Sequence, residues 1–167
     1  LIAHSYTDAL TGLPNRRAIF EDLTTLFSLA RHLKRNTVIA FIDLDDFKLI
    51  NDRYGHETGD QFLIEVGKRL TEEKQQDDII GRLGGDEFLV VRLGRCCVDQ
   101  LEQEAEAFLK EMKTAFMAAE QTVSLSASVG IAQSSDSMVD IDALLQRSDQ
   151  ALYQAKKAGR SRYCVYR

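Results

Sequence analysis

The chain has 167 residues, 44% of them hydrophobic, enough to bury one substantial core and too many for a disordered chain. A formal net charge of −5 argues against the broad basic face of a nucleic-acid polymer binder, but leaves room for a small anionic substrate held by a local cationic cluster or a metal. No apolar run approaches the roughly 20 residues of a membrane span, and Cys96, Cys97 and Cys164 lack the Cys-x-x-Cys spacing of a zinc site, so buried thiols in a reducing compartment are expected.

In chain order, residues 1–7 read as the end of an incoming linker helix, and residues 8–167 as a single domain. Because the chain starts at Leu1 rather than Met, with no secretory leader, it is expected to be cut from a longer protein. Asp8 to Asn15 holds the only proline and reads as a structured turn, with Asn15 as an N-cap. Ile19, Leu23, Phe27, Ala30 and Leu33 then recur at helical spacing, up to a stop at Asn36. Val38 to Ile42 is a continuous apolar run, as in a central strand covered on both faces. Phe47, Ile50 and Tyr54 mark a short helix stopped by Gly55, and Gly59-Asp60 opens the next, with Phe62, Leu63, Val66 and Leu70 buried.

A charged connection over residues 72–77 leads to Ile79-Ile80 and then Gly84-Gly85, a hairpin turn before the apolar run Phe88 to Val91. Val98, Leu101, Ala105, Phe108, Met112 and Phe116 predict a long amphipathic helix. Val123, Leu125, Ala127, Val129 and Ile131 alternate with small residues, a period of two. Leu144 to Ala155 gives a last helix ending near Gly159, and Tyr163 to Tyr166 a closing strand. Helices alternating with strands, with one embedded hairpin, predict a mixed sheet with helices packed on it.

The chemistry sits in residues far apart in sequence. Asp43 ends the buried strand, and Asp86-Glu87 follow the glycine turn, where strand propensity disfavours acids. If those strands are neighbours, the acids converge and call for a cation, and oxygen ligands of this kind suit Mg²⁺. The competing readings are a solvated hairpin tip, and helix capping by Asp43 and Asp45. Lys156 and Arg160 share a helix face with four-residue spacing. Together with Lys48 they suit phosphates, or else they merely offset the helix dipole. Asn51 and Asp60 suit a base edge, or else they form turns.

These motifs together resemble the GGDEF domain of diguanylate cyclases. The match runs through Asp8 to Arg17, Phe41 to Asp52, Tyr54-Gly55-His56, Gly59-Asp60, Gly84-Gly85-Asp86-Glu87-Phe88, Ser126 to Ala132 and Asp149 to Arg160. The resemblance implies an α/β (α+β) fold, a ferredoxin-like palm of the nucleotidyl cyclase type whose β-hairpin carries the active-site motif. It implies condensation of two GTP into cyclic di-GMP with release of pyrophosphate, by a homodimer using two Mg²⁺ (or Mn²⁺) per site. Asp86 and Glu87 would be catalytic. Asp43, the Leu44 carbonyl, Asp86 and Glu87 would hold metal. Asn51 and Asp60 would read guanine, and Lys48, Lys156 and Arg160 would meet the phosphates. Phe47 and His56 would complete the substrate set, and Gly84 and Gly85 would leave room for the nucleotide. An upstream sensory domain and a cytoplasmic location are implied, with membrane attachment of the parent open.

The chain also departs from the family pattern. Gln75 stands where an Arg-x-x-Asp inhibitory motif would carry arginine, leaving Asp78 alone, and Gln lacks the guanidinium fork. Weak or absent product inhibition is therefore expected. Leu83 replaces a frequent aromatic, and Ser161 a frequent Asn. The alternative function is a catalytically weak module that binds GTP or cyclic di-GMP without synthesis, against which the intact Asp86 and Glu87 argue.

Overall fold

A computed structural model describes residues 5–94, 97–113, 116–118, 121–123, 125–134 and 140–167. The elements are α1 (Arg16–Leu33), β1 (Asn36–Leu44), α2 (Phe47–Tyr54), α3 (His56–Glu73), β2 (Ile79–Gly84), β3 (Glu87–Gly94), α4 (Cys97–Lys113), β4 (Phe116–Ala118), β5 (Gln121–Val123), β6 (Ala127–Gln133), α5 (Ile141–Lys157) and β7 (Tyr163–Val165). Five strands form one mixed sheet in the order β2-β3-β1-β6-β7. β1 is antiparallel to both β3 and β6, and β7 runs parallel to β6. β4 and β5 make a separate ribbon.

The strand period of two divides β1 between two cores. Val38, Ala40, Ile42 and Leu44 pack with Phe62 and Val66 of α3 and with Phe108 and Met112 of α4. Ile39 faces the other way, with Ile19, Leu23 and Phe27 of α1 and Leu144 of α5. Each of the larger of these side chains, taken fully out of water, contributes about 1.5–3 kcal/mol. Burial on both faces is why the Val38–Ile42 run is continuous rather than alternating. β1 is thereby fixed in the middle of the sheet, and its C-terminal end cannot wander.

Several boundaries differ from those expected. α3 starts at His56, so Gly59 and Asp60 lie inside it rather than opening it. α1 ends at Leu33, where Lys34 turns the chain at φ 55°, and Asn36 already belongs to β1. Phe116 is in β4, not in the amphipathic helix, which stops at Lys113. The alternating run also breaks: Val123 pairs in β5, and β6 begins only at Ala127. Six of the seven β6 positions are buried, so Ser128 and Gly130 are not on a solvent face. Residues 5–7 are not helical, and Thr7 is bridged to Pro14. Leu1–His4, Cys96 and Ser124 lie outside the described residues. Among the described residues no helix is long and apolar enough to cross a membrane.

Candidate active site

Strand register brings the acids together. Asp43 of β1 lies opposite Glu87 of β3 on one side and Ser128 of β6 on the other. The Leu44 N–H donates to the Asp86 carbonyl at 3.2 Å, tying the hairpin turn to the end of β1. Gly84 (φ 145°) and Gly85 (φ 51°) make that turn in backbone conformations that L side chains resist, and a Cβ on either would meet only open space. The turn is therefore a bare backbone surface next to the carboxylates.

The electrostatics follow from this crowding. Burial, opposed by the Lys156 ion pair and reinforced by the neighbouring Asp86 carboxyl, pushes the Asp43 pKa up to about 6. Burial and the Asp43 charge likewise raise Glu87, against the pull of Lys156. Lys156 Nζ is paired with Asp43 Oδ2. The other oxygen, Asp43 Oδ1, is buried without a hydrogen-bond partner. An unsatisfied buried carboxylate oxygen beside a second acid is the environment a divalent cation with oxygen ligands relieves. Among the described residues no three His, Cys, Asp or Glu side chains gather to enclose a metal. That donor set fits a cation whose remaining ligands come from backbone and substrate phosphates, which is how Mg²⁺ is usually held.

The expected basic residues come to the same end of the sheet from α5. A Cβ on Gly130 would sit 2.2 Å from the Ser148 carbonyl oxygen and the Leu152 nitrogen, so only glycine lets α5 lie this close to β6. That approach carries Lys156 to Asp43. Arg160, exposed, follows the helix in a left-handed turn at φ 62°. Lys48 is exposed on α2, immediately beyond the end of β1.

Asn51 comes from α2 and the exposed Asp60 from α3, and the two helices pack together. Asn51 Oδ1 is buried and has no hydrogen-bond partner. It rests on Gly59, where a Cβ would stand 1.8 Å from that oxygen. His56 is exposed at the start of α3. Phe47, 8% exposed, belongs to the core beneath α2, with the tip of its ring beside Gly59.

Asp78 immediately precedes β2. It is buried and fully engaged, taking the Arg92 Nε and Nη2 hydrogens at 3.0 and 2.8 Å and the Gln75 N–H at 3.0 Å. Arg92 also pairs with Glu104. Burial works against the Arg92 charge, but its hydrogen bonds to Asp78 and Glu104 outweigh that and raise its pKa. Asp78 thus ties the start of β2 to β3.

Two features escaped the sequence reading. Arg82 Nε and Nη2 donate to the Gly85 carbonyl at 3.1 and 2.7 Å, while its Nη1 reaches both Asp8 oxygens at 3.2 Å. Burial tends to raise the Asp8 pKa, but hydrogen bonds from Thr11 and Arg82 hold it below its ordinary value. Arg82 therefore braces the glycine turn against the Asp8–Asn15 turn. An arginine within the short strand leading into the glycines was the available signal. The second feature is Asp45, which caps no helix: it accepts from the Ser126 and Ser128 hydroxyls, both at 2.7 Å, and from the Ser161 N–H at 3.0 Å.

Acids on the central strand and on a glycine hairpin, with a helical lysine facing them, on a mixed five-stranded sheet, define a palm-like α/β domain of the nucleotidyl cyclase type. The comparisons agree. The family described as diguanylate cyclase, GGDEF domain, matches residues 5–162. Diguanylate cyclase DgcP of Escherichia coli (strain K12) is 53% identical over 158 residues, covering 94% of this chain and 46% of DgcP. The solved GGDEF domain of YfiN (TpbB) from Pseudomonas aeruginosa superimposes with a TM-score of 0.88 at 31% identity, covering 96% of this chain and 94% of that one. The GGDEF domain of DgcB from Caulobacter crescentus, solved with c-di-GMP, gives a TM-score of 0.92 at 26% identity, covering 99% and 98% of the two chains. The chain belongs to the GGDEF, diguanylate cyclase, family. It spans less than half the length of DgcP.

Proposed function

We propose that this chain is a diguanylate cyclase domain, condensing two GTP into cyclic di-GMP and releasing pyrophosphate. The observation that carries the reading is Asp43 set opposite Glu87 and next to Asp86, beside Lys156, with one Asp43 oxygen buried and unsatisfied. Asp43, the Leu44 carbonyl, Asp86 and Glu87 would hold divalent cations, Mg²⁺ or Mn²⁺, two per site. Bound there, such cations supply acidification of an attacking hydroxyl and screening of phosphate charge.

The remaining roles belong to the chain's own residues. Gly84 and Gly85 let the triphosphate lie against backbone. Lys48, Lys156 and Arg160 offset its charge, Lys156 from its place beside Asp43. Asn51 and Asp60 take the guanine edge, with His56 at the rim. Glu87, with its raised pKa, is a proton acceptor for the 3′-hydroxyl that attacks the α-phosphorus. Most of the acceleration is positioning and charge stabilisation. A GTP-using domain of this kind works in the cytoplasm.

Product inhibition at the Gln75–Asp78 stretch should be weak or absent, because Gln75 lacks the cationic fork and Asp78 is held by Arg92. The test of function is incubation with GTP and Mg²⁺ and mass analysis of the products. Cyclic di-GMP and pyrophosphate are expected from the wild type. Asp86→Ala should lower turnover by at least about a hundredfold with an unchanged circular dichroism spectrum. Nucleotide binding without product would establish the binding-module alternative instead.

A further inference from the structure

Asp45 is a buried carboxylate, 6% exposed, that the reaction described above does not use. Among the described residues it has no ion pair; neutral donors hold it. Its Oδ2 accepts from the Ser126 hydroxyl and the Ser161 N–H, and its Oδ1 from the Ser128 hydroxyl. Its own N–H donates to the Ser126 carbonyl at 2.8 Å. The carboxylate thus joins the ends of β1 and β6 to the turn that follows α5.

That turn is strained. Gly159, Arg160 and Ser161 lie at φ 124°, 62° and 52°, so two successive residues carrying a Cβ occupy the left-handed region. Such a backbone persists only where its surroundings impose it. On the upstream side the Arg160 N–H is held by the Ala155 carbonyl at 3.0 Å, and downstream the Arg162 carbonyl accepts from the Val129 N–H at 3.0 Å. Between them, the Ser161 N–H is held by Asp45. Arg160 sits in the span between these anchors with its side chain in solvent. The same strand end therefore carries Asp43, which faces Lys156, and Asp45, which anchors the turn of Arg160.

We propose that Asp45 is a positioning residue: by clasping the Ser161 N–H it fixes the Gly159–Arg162 turn and so presents Arg160 to the phosphates of the nucleotide bound beside Asp43. The inference rests on the reading of Arg160 as a phosphate contact and says what makes that contact possible. The hydroxyls can turn to accept as well as donate, so an amide at position 45 can keep the clasp without the charge. Loss of the carboxyl frees the turn, and Arg160 then pays the entropy of ordering on each binding event.

The test is a double-mutant cycle on the affinity for a GTP analogue with a methylene in place of the oxygen bridging the α- and β-phosphorus. Affinity is measured calorimetrically with Mg²⁺ on the whole chain. Asp45→Ala should weaken binding about tenfold in the wild type and less than about twofold in the Arg160→Ala background. Asp45→Asn should recover most of the loss. Ser126→Ala and Ser128→Ala, which each leave the carboxylate in place, should cause smaller losses that also vanish with Arg160→Ala, and they decide the matter should Asp45→Ala not fold. Losses that persist undiminished in the Arg160→Ala background overturn the proposal, as does an Asp45→Asn variant as weak as Asp45→Ala. A wild type that does not bind the analogue overturns the nucleotide reading itself, which separates the two failures.

Discussion

Asp43 is a carboxyl whose protonated form the fold favours. Its pKa of about 6 stands above the ordinary 3.8 because it is buried and, although Lys156 opposes the shift, because Asp86 lies next to it. Between those two values the folded state binds more proton than the unfolded chain, so stability falls as pH rises, and the loss is complete above the folded pKa. Asp43→Asn removes that loss. In chelator, the variant should be more stable than wild type by about 1–3 kcal/mol near pH 7, with the difference fading below about pH 4, in urea unfolding at each pH. Mg²⁺ should raise the melting temperature of the wild type and not of the variant. A wild type as stable as the variant near neutrality would remove the electrostatic account of the site. Gly59 makes the complementary case, where function and stability separate. A methyl there points at Asn51 Oδ1, 1.8 Å away, and the amide must swing aside. Helix propensity meanwhile favours alanine over glycine by about 1 kcal/mol. Gly59→Ala should therefore unfold at an equal or higher urea concentration, yet bind GTP about tenfold more weakly through loss of one base contact. Equal affinity would show that Asn51 does not read the base.

At the scale of elements, legibility followed from how far each signal reached along the chain. The buried strand was visible because β1 is covered on both faces, and the hairpin because Gly84-Gly85 has few other uses. The helices over Ile19–Leu33 and Leu144–Ala155 were visible because each buries one stripe. The run ending in Phe116 misled, because an apolar residue at helical spacing also suits a strand after the helix has ended. The alternation from Val123 to Ile131 marked β6 but began too early, since Val123 pairs in β5 and β6 starts at Ala127. Ser128 and Gly130 are small because Asp45 and α5 press on them. The convergence of Asp43 with Asp86 depended on a register that no local pattern encodes, and it entered only as a condition on strand neighbours. Arg82, Asp45 and the Asp78–Arg92 bolt were missed because each joins residues that the sequence places well apart, such as Arg82 with Asp8 or Asp45 with Ser161. Their partners are set by tertiary structure alone.

At the scale of the whole molecule, the proposed reaction outgrows a single copy. The product consists of two identical halves joined by the same bond-forming step made twice. One domain offers one set of acids at one sheet end, and in the proposed reaction would hold one triphosphate. Two copies related by a two-fold axis would set each 3′-hydroxyl against the other's α-phosphorus, and closed two-fold pairing is the commonest way for identical chains to meet. With the nucleotides as the bridge between the copies, the pair should be weak at ordinary concentrations. Below its dissociation constant the fraction paired rises in proportion to total protein. Turnover per chain at saturating GTP should then fall about tenfold for each tenfold dilution, and flatten only where the dimer saturates. Fusion of a parallel coiled coil ahead of Tyr6 should lift the dilute end of that curve and leave the concentrated end unchanged. A turnover per chain that stays constant across the dilution series, in a protein that sediments as a monomer throughout, would mean that one copy completes both bonds and that the facing arrangement is wrong.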